Sequence, residues 1–241
     1  MKKGIVTTVI AISFFLSAFF TSLAMAGSFG FGLQGTYINV SATGSEKEGT
    51  GDGETTAEIK ENNDTATAAF FAEYLIGDGE GGHGWTLGMS FSPTSATIGA
   101  RSRTDTQTAA DAADTKGGSD DSGTYEAKAT VSKHATLYVE PTLMWDTFGI
   151  FLKAGVARIN VNSDERIALG EDSSTYGDKA VTGYLFGAGI TKRFDSGLYY
   201  KLEAVNTAYN SLTLTSTSGN KNIITADPST LQANFALGYR F

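Results

Sequence analysis

Cysteine is missing from the 241-residue sequence, proline occurs three times and histidine twice. Without cysteine there is no disulfide framework and no thiolate metal site. Basic residues are also scarce, 18 Lys and Arg against 26 Asp and Glu. No basic surface is therefore available to neutralise phosphates, which excludes nucleic acid as a partner. Long apolar runs are lacking too, apart from one near the start. There Lys2 and Lys3 precede an apolar stretch from Val9 to Phe20, and Ala24-Met25-Ala26 forms an A-x-A site before Gly27. This reads as a signal peptide over 1–26 and an exported chain over 27–241. Its removal takes two lysines, so the remaining charge is 16 − 26 = −10.

Glycine is what the sequence has in abundance, 29 residues. One consequence is a literal G-x-G-x-x-G at Gly30, Gly32 and Gly35. At this glycine content chance alone supplies about 0.4 such matches. A dinucleotide fingerprint also needs a buried strand before it and a helix after it. Instead, Phe29, Phe31, Leu33 and Tyr37 alternate with Gly30, Gly32, Gln34 and Thr36, the period of a strand with one small, polar face. No cofactor is expected.

The same period recurs along the chain. Strands are expected over about 29–40, 67–76, 85–92, 125–142, 149–161, 180–194, 198–205 and 229–241. In the second, Phe71 and Leu75 blur the parity. In the fifth, Arg158 falls on the apolar parity and Ile159 and Val161 on the other, which suggests a bulge in that strand. Links after strands two, four and six are short: "GDGEGGHG", "LMWDTFG" and "DSG". Links after strands one, three, five and seven are long, at 41–66, 93–124, 162–179 and 206–228. A soluble sandwich has no reason to keep all its long loops at one end, whereas a transmembrane barrel does. The first long link carries Glu46, Glu48, Asp52, Glu54, Glu58, Glu61 and Asp64. Solvated loops explain that charge. Contacts with cations or cell surfaces are the sharper expectation, but no link matches a calcium-loop motif, so no metal site is assigned.

The closing segment, "STLQANFALGYRF", places Leu231, Ala233, Phe235, Leu237, Tyr239 and Phe241 on one face. It resembles the last strand of bacterial outer-membrane β-barrels. With the leader, the alternation and the loop asymmetry, the chain resembles the small outer-membrane barrels of Gram-negative bacteria, the group of outer-membrane proteins A and X. The resemblance implies an all-β, up-and-down antiparallel transmembrane barrel, with eight strands expected and ten as the alternative. It implies a monomer in outer-membrane lipid with both termini periplasmic. It also implies that Leu237, Tyr239 and Phe241 are an assembly signal read by the barrel-assembly machinery.

If the apolar faces meet lipid, the other parity lines the lumen. It carries Glu73, His134, Glu140, Lys153, Arg193, Lys201, Glu203 and Arg240. Glu140 and Lys153 flank one short turn on neighbouring strands, close enough to pair. In an eight-stranded barrel the bore is just wide enough for side chains to fill. Buried charges there must neutralise one another, so an internal ion-pair network that plugs the bore is expected. The function expected is a structural barrel contacting its surroundings through its loops, with a narrow porin as the alternative. A hydrolase is a minor third reading, since His83 sits in a short turn and His134 points inward near Ser132 and Thr136. No enzyme is expected.

Overall fold

The computed structural model describes residues 27–47, 58–77, 83–105, 123–167, 176–217 and 223–241. The expected signal segment and the central parts of the long links, with Glu48, Asp52 and Glu54 of the acidic run, lie outside the described residues, as does 78–82 in the first short link.

The described residues form ten strands: β1 (Gly27–Lys47), β2 (Ile59–Ile76), β3 (His83–Ser92), β4 (Ala96–Asp105), β5 (Gly123–Trp145), β6 (Phe148–Ile167), β7 (Asp178–Arg193), β8 (Leu198–Tyr209), β9 (Leu212–Thr215) and β10 (Ile223–Arg240). All neighbours are antiparallel. The order runs β1-β2-β3-β5-β6-β7-β8-β10, and β10 pairs back onto β1 from Gly30↔Arg240 to Lys47↔Ile223. The eight strands of this path therefore close into a ring. β4 continues β3 along the same partner, β5, and β9 continues β8 along β10. Ten strands thus make eight staves, two of them interrupted. Pro93, which cannot donate to the ladder, marks one break. Asn210 and Ser211 mark the other, where Asn210 ties to Thr182 through its backbone N–H at 2.8 Å and its amide at 3.0 Å.

The ring is taller than the alternation suggested. Much of the 41–66, 93–124, 162–179 and 206–228 links is strand, which lengthens β1, β2, β6 and β10 well past their expected ends. In these extensions the outward face is polar. Asn39 donates to Asp64 at 2.8 Å and Ser41 to Asn62 at 2.6 Å across β1 and β2. Only the lower part of the wall is apolar outside: Leu33, Phe70, Leu152, Phe186, Leu231 and Phe235 each show more than half of their surface. On β10 the outward apolar residues run from Leu231 to Tyr239, about 26 Å along the strand and about 20 Å along the axis at the usual tilt. A continuous girdle of this kind has no place in water. It is the belt of an outer-membrane-type barrel. Trp85 and Trp145 lie outward near the short turns, at its lower rim.

The inside inverts with height as the outside does. Below, the inward residues are charged and polar. From the top of the belt upward they are apolar and buried: Ile38 and Val40 on β1, and a cluster with Ile159, Val161, Val181, Leu212 and Leu214. This corrects the bulge expected in the fifth strand. The β6–β7 register is unbroken from Phe148 to Asn162. Arg158 points outward above the lipid belt, and Ile159 and Val161 point inward because the lumen itself turns apolar there. A bulge does exist on the facing strand, β5, where the register shifts between Ser132 and Ala135 and Lys133 takes a positive φ of 54°.

Candidate functional site

The inward charges meet in the lower lumen. Each comes from the polar parity of its strand: Glu73 from β2, Glu140 from β5, Lys153 from β6, Lys201 and Glu203 from β8. Lys153 Nζ lies 2.7 Å from both carboxylate oxygens of Glu203 and 3.1 Å from Glu140 Oε1. Lys201 Nζ lies 2.5 Å from Glu140 Oε2 and 2.5 Å from Glu73 Oε1. The result is an alternating chain, Glu203–Lys153–Glu140–Lys201–Glu73, that crosses the bore from wall to wall. All five side chains are buried, Glu140 most deeply at 1% exposure. Three carboxylates against two ammonium groups leave one negative charge. Arg193, also buried, borders the same small cavity as Glu73, Glu140 and Lys201 and brings the sum to zero. Buried charges persist only when paired and hydrogen-bonded in this way.

Three neutral groups complete the shell. The Tyr138 hydroxyl donates to Glu73 Oε1 at 2.8 Å, the Tyr199 hydroxyl to Glu73 Oε2 at 2.9 Å, and the Asn234 amide to Glu203 Oε1 at 2.8 Å. The rings fill the rest of the cross-section. Lys153 sits 3.9 Å above the Tyr138 ring centre and Lys201 4.9 Å from that of Phe151, both within cation–π range. Phe71 meets Tyr199 edge-on at 6.2 Å. Phe71 and Leu75 therefore belong to the inward parity they had seemed to break.

The inward glycines make this crowding feasible. A Cβ on Gly88 would stand 2.4 Å from the Tyr138 ring, one on Gly30 would stand 2.6 Å from the Tyr199 hydroxyl, and one on Gly189 would stand 2.5 Å from Phe151. Gly32 similarly makes room for Phe71, at 2.6 Å. Small residues opposite large ones are how a narrow barrel fills its taper. Gly30 and Gly32 of the G-x-G-x-x-G thus accommodate aromatic rings, and Gly35, on the outer face, has nothing within 4 Å. The free space left between Glu73, Glu140, Thr142 and Arg193 is about 10 Å³, room for no more than a single water.

The remaining inward residues stand elsewhere. His134 is not part of the network. It is six residues from Glu140 on β5, about 20 Å along the strand, and its Nε2 lies 3.4 Å from the Tyr209 hydroxyl. The separation follows from strand length, since parity gives a face but no height. Arg240 ends β10 at the short-turn rim, opposite Gly30. Ser132 and Thr136 form no joint site with His134: Thr136 pairs with Ser90 at 2.6 Å, and Ser132 lies at the bulge. Among the described residues no group of three or more His, Asp or Glu is placed to hold a metal. Leu237, Tyr239 and Phe241 are exposed on the outer face at the closing seam, where Phe241 stacks near Phe31 at 5.2 Å and donates its N–H to Phe29 at 2.9 Å. The tyrosines, Phe71, Phe151 and Asn234 escaped the sequence reading, which weighed only ionisable side chains. The signal that could have found the rings was the run of glycines on the inward parity of the neighbouring strands.

No protein-family model and no curated protein matches the sequence. Solved structures of similar outline are outer-membrane barrels. Ail, the attachment invasion locus protein of Yersinia pestis, aligns over 87% of this chain and 99% of its own at 12% identity, with a TM-score of 0.34. The outer membrane protease OmpT from Escherichia coli covers 89% and 97% at 10% identity and a TM-score of 0.45. The translocator domain of the autotransporter NalP from Neisseria meningitidis covers 99% and 97% at 13% identity and 0.35. The likeness is one of general architecture, and nothing these proteins bind or cleave passes to this chain.

Proposed function

We propose that the protein is an outer-membrane barrel closed to steady conduction, which holds its long-loop end outside the cell for contacts with ions or neighbouring surfaces. The observation that carries the closed state is the ion-pair chain itself: five buried charges and four aromatic rings fill the bore, and the cavity between Glu73, Glu140 and Arg193 measures only about 10 Å³. A hydrated ion or a sugar needs many times that space. The narrow-porin reading requires the whole chain to part, with several buried pairs breaking at several kcal/mol each.

Orientation rests on the loop asymmetry. The turns 146–147 and 194–197 and the ends of β1 and β10 share one end of the ring, which in barrels of this kind is the periplasmic one. The outer-face residues Leu237, Tyr239 and Phe241 then lie at the periplasmic end of the closing strand, accessible to the assembly machinery before the seam closes. Two measurements test the reading. Proteoliposomes loaded with potassium should retain it at the rate of protein-free vesicles. In intact cells, an impermeant maleimide should label Ser211→Cys but not Ser196→Cys. Rapid efflux would refute closure, and the reverse labelling would refute the orientation.

A further inference from the structure

Above the ion-pair chain lies a second, unlike space. It measures about 280 Å³, and its wall is almost wholly apolar, built from inward Ile38, Val40, Val131, Ile159, Val161 and Leu214. Its lower end is marked by Gln232, beside Ile38, and by the His134–Tyr209 pair, while Thr230 stands in the wall beside Val40. At its upper rim stand one carboxylate, Glu61, and one ammonium, Lys128. The space is therefore a cup, apolar on its sides, floored by polar residues above the ion-pair chain, and framed at the top by charges that cancel. Its outer wall is polar from there upward, with Asn39, Asp64 and Asn160 outward, next to Leu231, the topmost apolar residue of the belt, which pairs with Asn39. The cup thus rises from the upper edge of the lipid belt toward the long-loop end.

A cavity lined by aliphatic side chains gains little from water, which needs two to four polar partners; such cavities stay dry and take apolar guests. Shape narrows the guest. The lining is elongated: along β10 it runs from Ile224 to Gln232, eight residues or about 26 Å along the strand. A narrow apolar space drawn out over that length suits an extended hydrocarbon chain better than a compact ring system. No cation lines the apolar wall to meet an acid head, and the rim charges sum to zero. We infer that the upper lumen binds the single alkyl chain of an uncharged amphiphile, tail down and polar head at the Glu61–Lys128 rim.

This rests on the closed-bore reading for its floor, but its test reads occupancy and not conductance, so the two fail separately. The full barrel, with Ile, Leu and Val methyls labelled, is placed in nanodiscs of perdeuterated lipid, and protonated 1-decanol is added as the probe. The expected result is saturable intermolecular NOEs from decanol to the inward methyls of Ile38, Val40, Ile159, Val161 and Leu214. Val161→Phe, which fills the cup without adding charge, should weaken that binding at least tenfold while leaving the outward methyl spectrum unchanged. Ser41→Phe, on the outer face of the same height, should leave it unaffected. NOEs confined to outward methyls such as Leu33, Leu152 and Leu237 would mean partition into lipid only and would overturn the inference. So would inward NOEs that survive Val161→Phe undiminished.

Discussion

Replacing Lys201 by Met removes one of the two ammonium groups that each hold two carboxylates. Its Nζ lies 2.5 Å from both Glu73 and Glu140, whereas methionine keeps the stem packed against Phe151. What is lost is charge, not volume. Glu73 keeps only two tyrosine hydroxyls, and Glu140 must share Lys153 with Glu203. Removing one partner of a buried pair costs about 3–5 kcal/mol, because the other charge remains in a place it can neither leave nor solvate. Glu140→Gln is the instructive contrast. Glu140 is the most deeply buried of the set, yet without its charge the chain separates into two intact pairs, Lys153–Glu203 and Lys201–Glu73. Its loss should therefore cost only about 1 kcal/mol, the scale of an ordinary hydrogen bond. The order of the two effects is thus opposite to the order of burial. Urea unfolding in lipid vesicles, followed by the fluorescence of Trp85 and Trp145, reads both. With a slope of about 2 kcal/mol per molar urea, Lys201→Met should lower the midpoint by about 1.5–2.5 M and Glu140→Gln by about 0.5 M. The double variant should lose less than the sum, since the Lys201–Glu140 contact is broken once in either order. Equal losses, or a larger loss for Glu140→Gln, would refute the connectivity described.

The glycines give a second contrast by the same assay. Gly88→Ala puts a methyl 2.4 Å from the Tyr138 ring and should cost about 1–3 kcal/mol through overpacking. Gly35→Ala meets nothing within 4 Å and should be neutral or stabilise by about 0.5 kcal/mol through the unfolded chain. The height of the lipid belt is testable on one strand. Leu152→Arg, outward in the belt, should lose about 2–4 kcal/mol, while Asn160→Arg, outward above it, should lose less than about 1 kcal/mol. At the β5 bulge, Lys133 holds a positive φ of 54°, so Lys133→Gly should stabilise by about 1 kcal/mol, visible as a raised midpoint.

The eight staves were legible because lipid imposes strict alternation on the belt, and each of 29–40, 149–161 and 229–241 shows it. The extensions were not. Outside the bilayer nothing demands an apolar outer face, so stretches such as "IKENNDTA" in β2 read as loop although their backbone ladder is continuous with the belt. Parity also assigned Glu73, Glu140, Lys153, Lys201 and Glu203 to the lumen but could not give their heights, which is why His134 was grouped with charges about 20 Å below it. Arg158, Ile159 and Val161 show the limit most clearly. The same two-residue period continued through them, but the solvents on its two sides exchanged roles, and an exchange of environments looks like a slip in register when only hydropathy is read.

Closure of the bore is the central claim, and single-channel recording tests it most directly. Barrel spanning 27–241, refolded and shown to be inserted, should give a silent planar bilayer at moderate voltage. Lys153→Ala with Lys201→Ala and Tyr138→Ala, which removes both cations and one ring from the obstruction, should give discrete small steps. Steps of the same size from the unmodified protein, unchanged by those substitutions, would contradict the account.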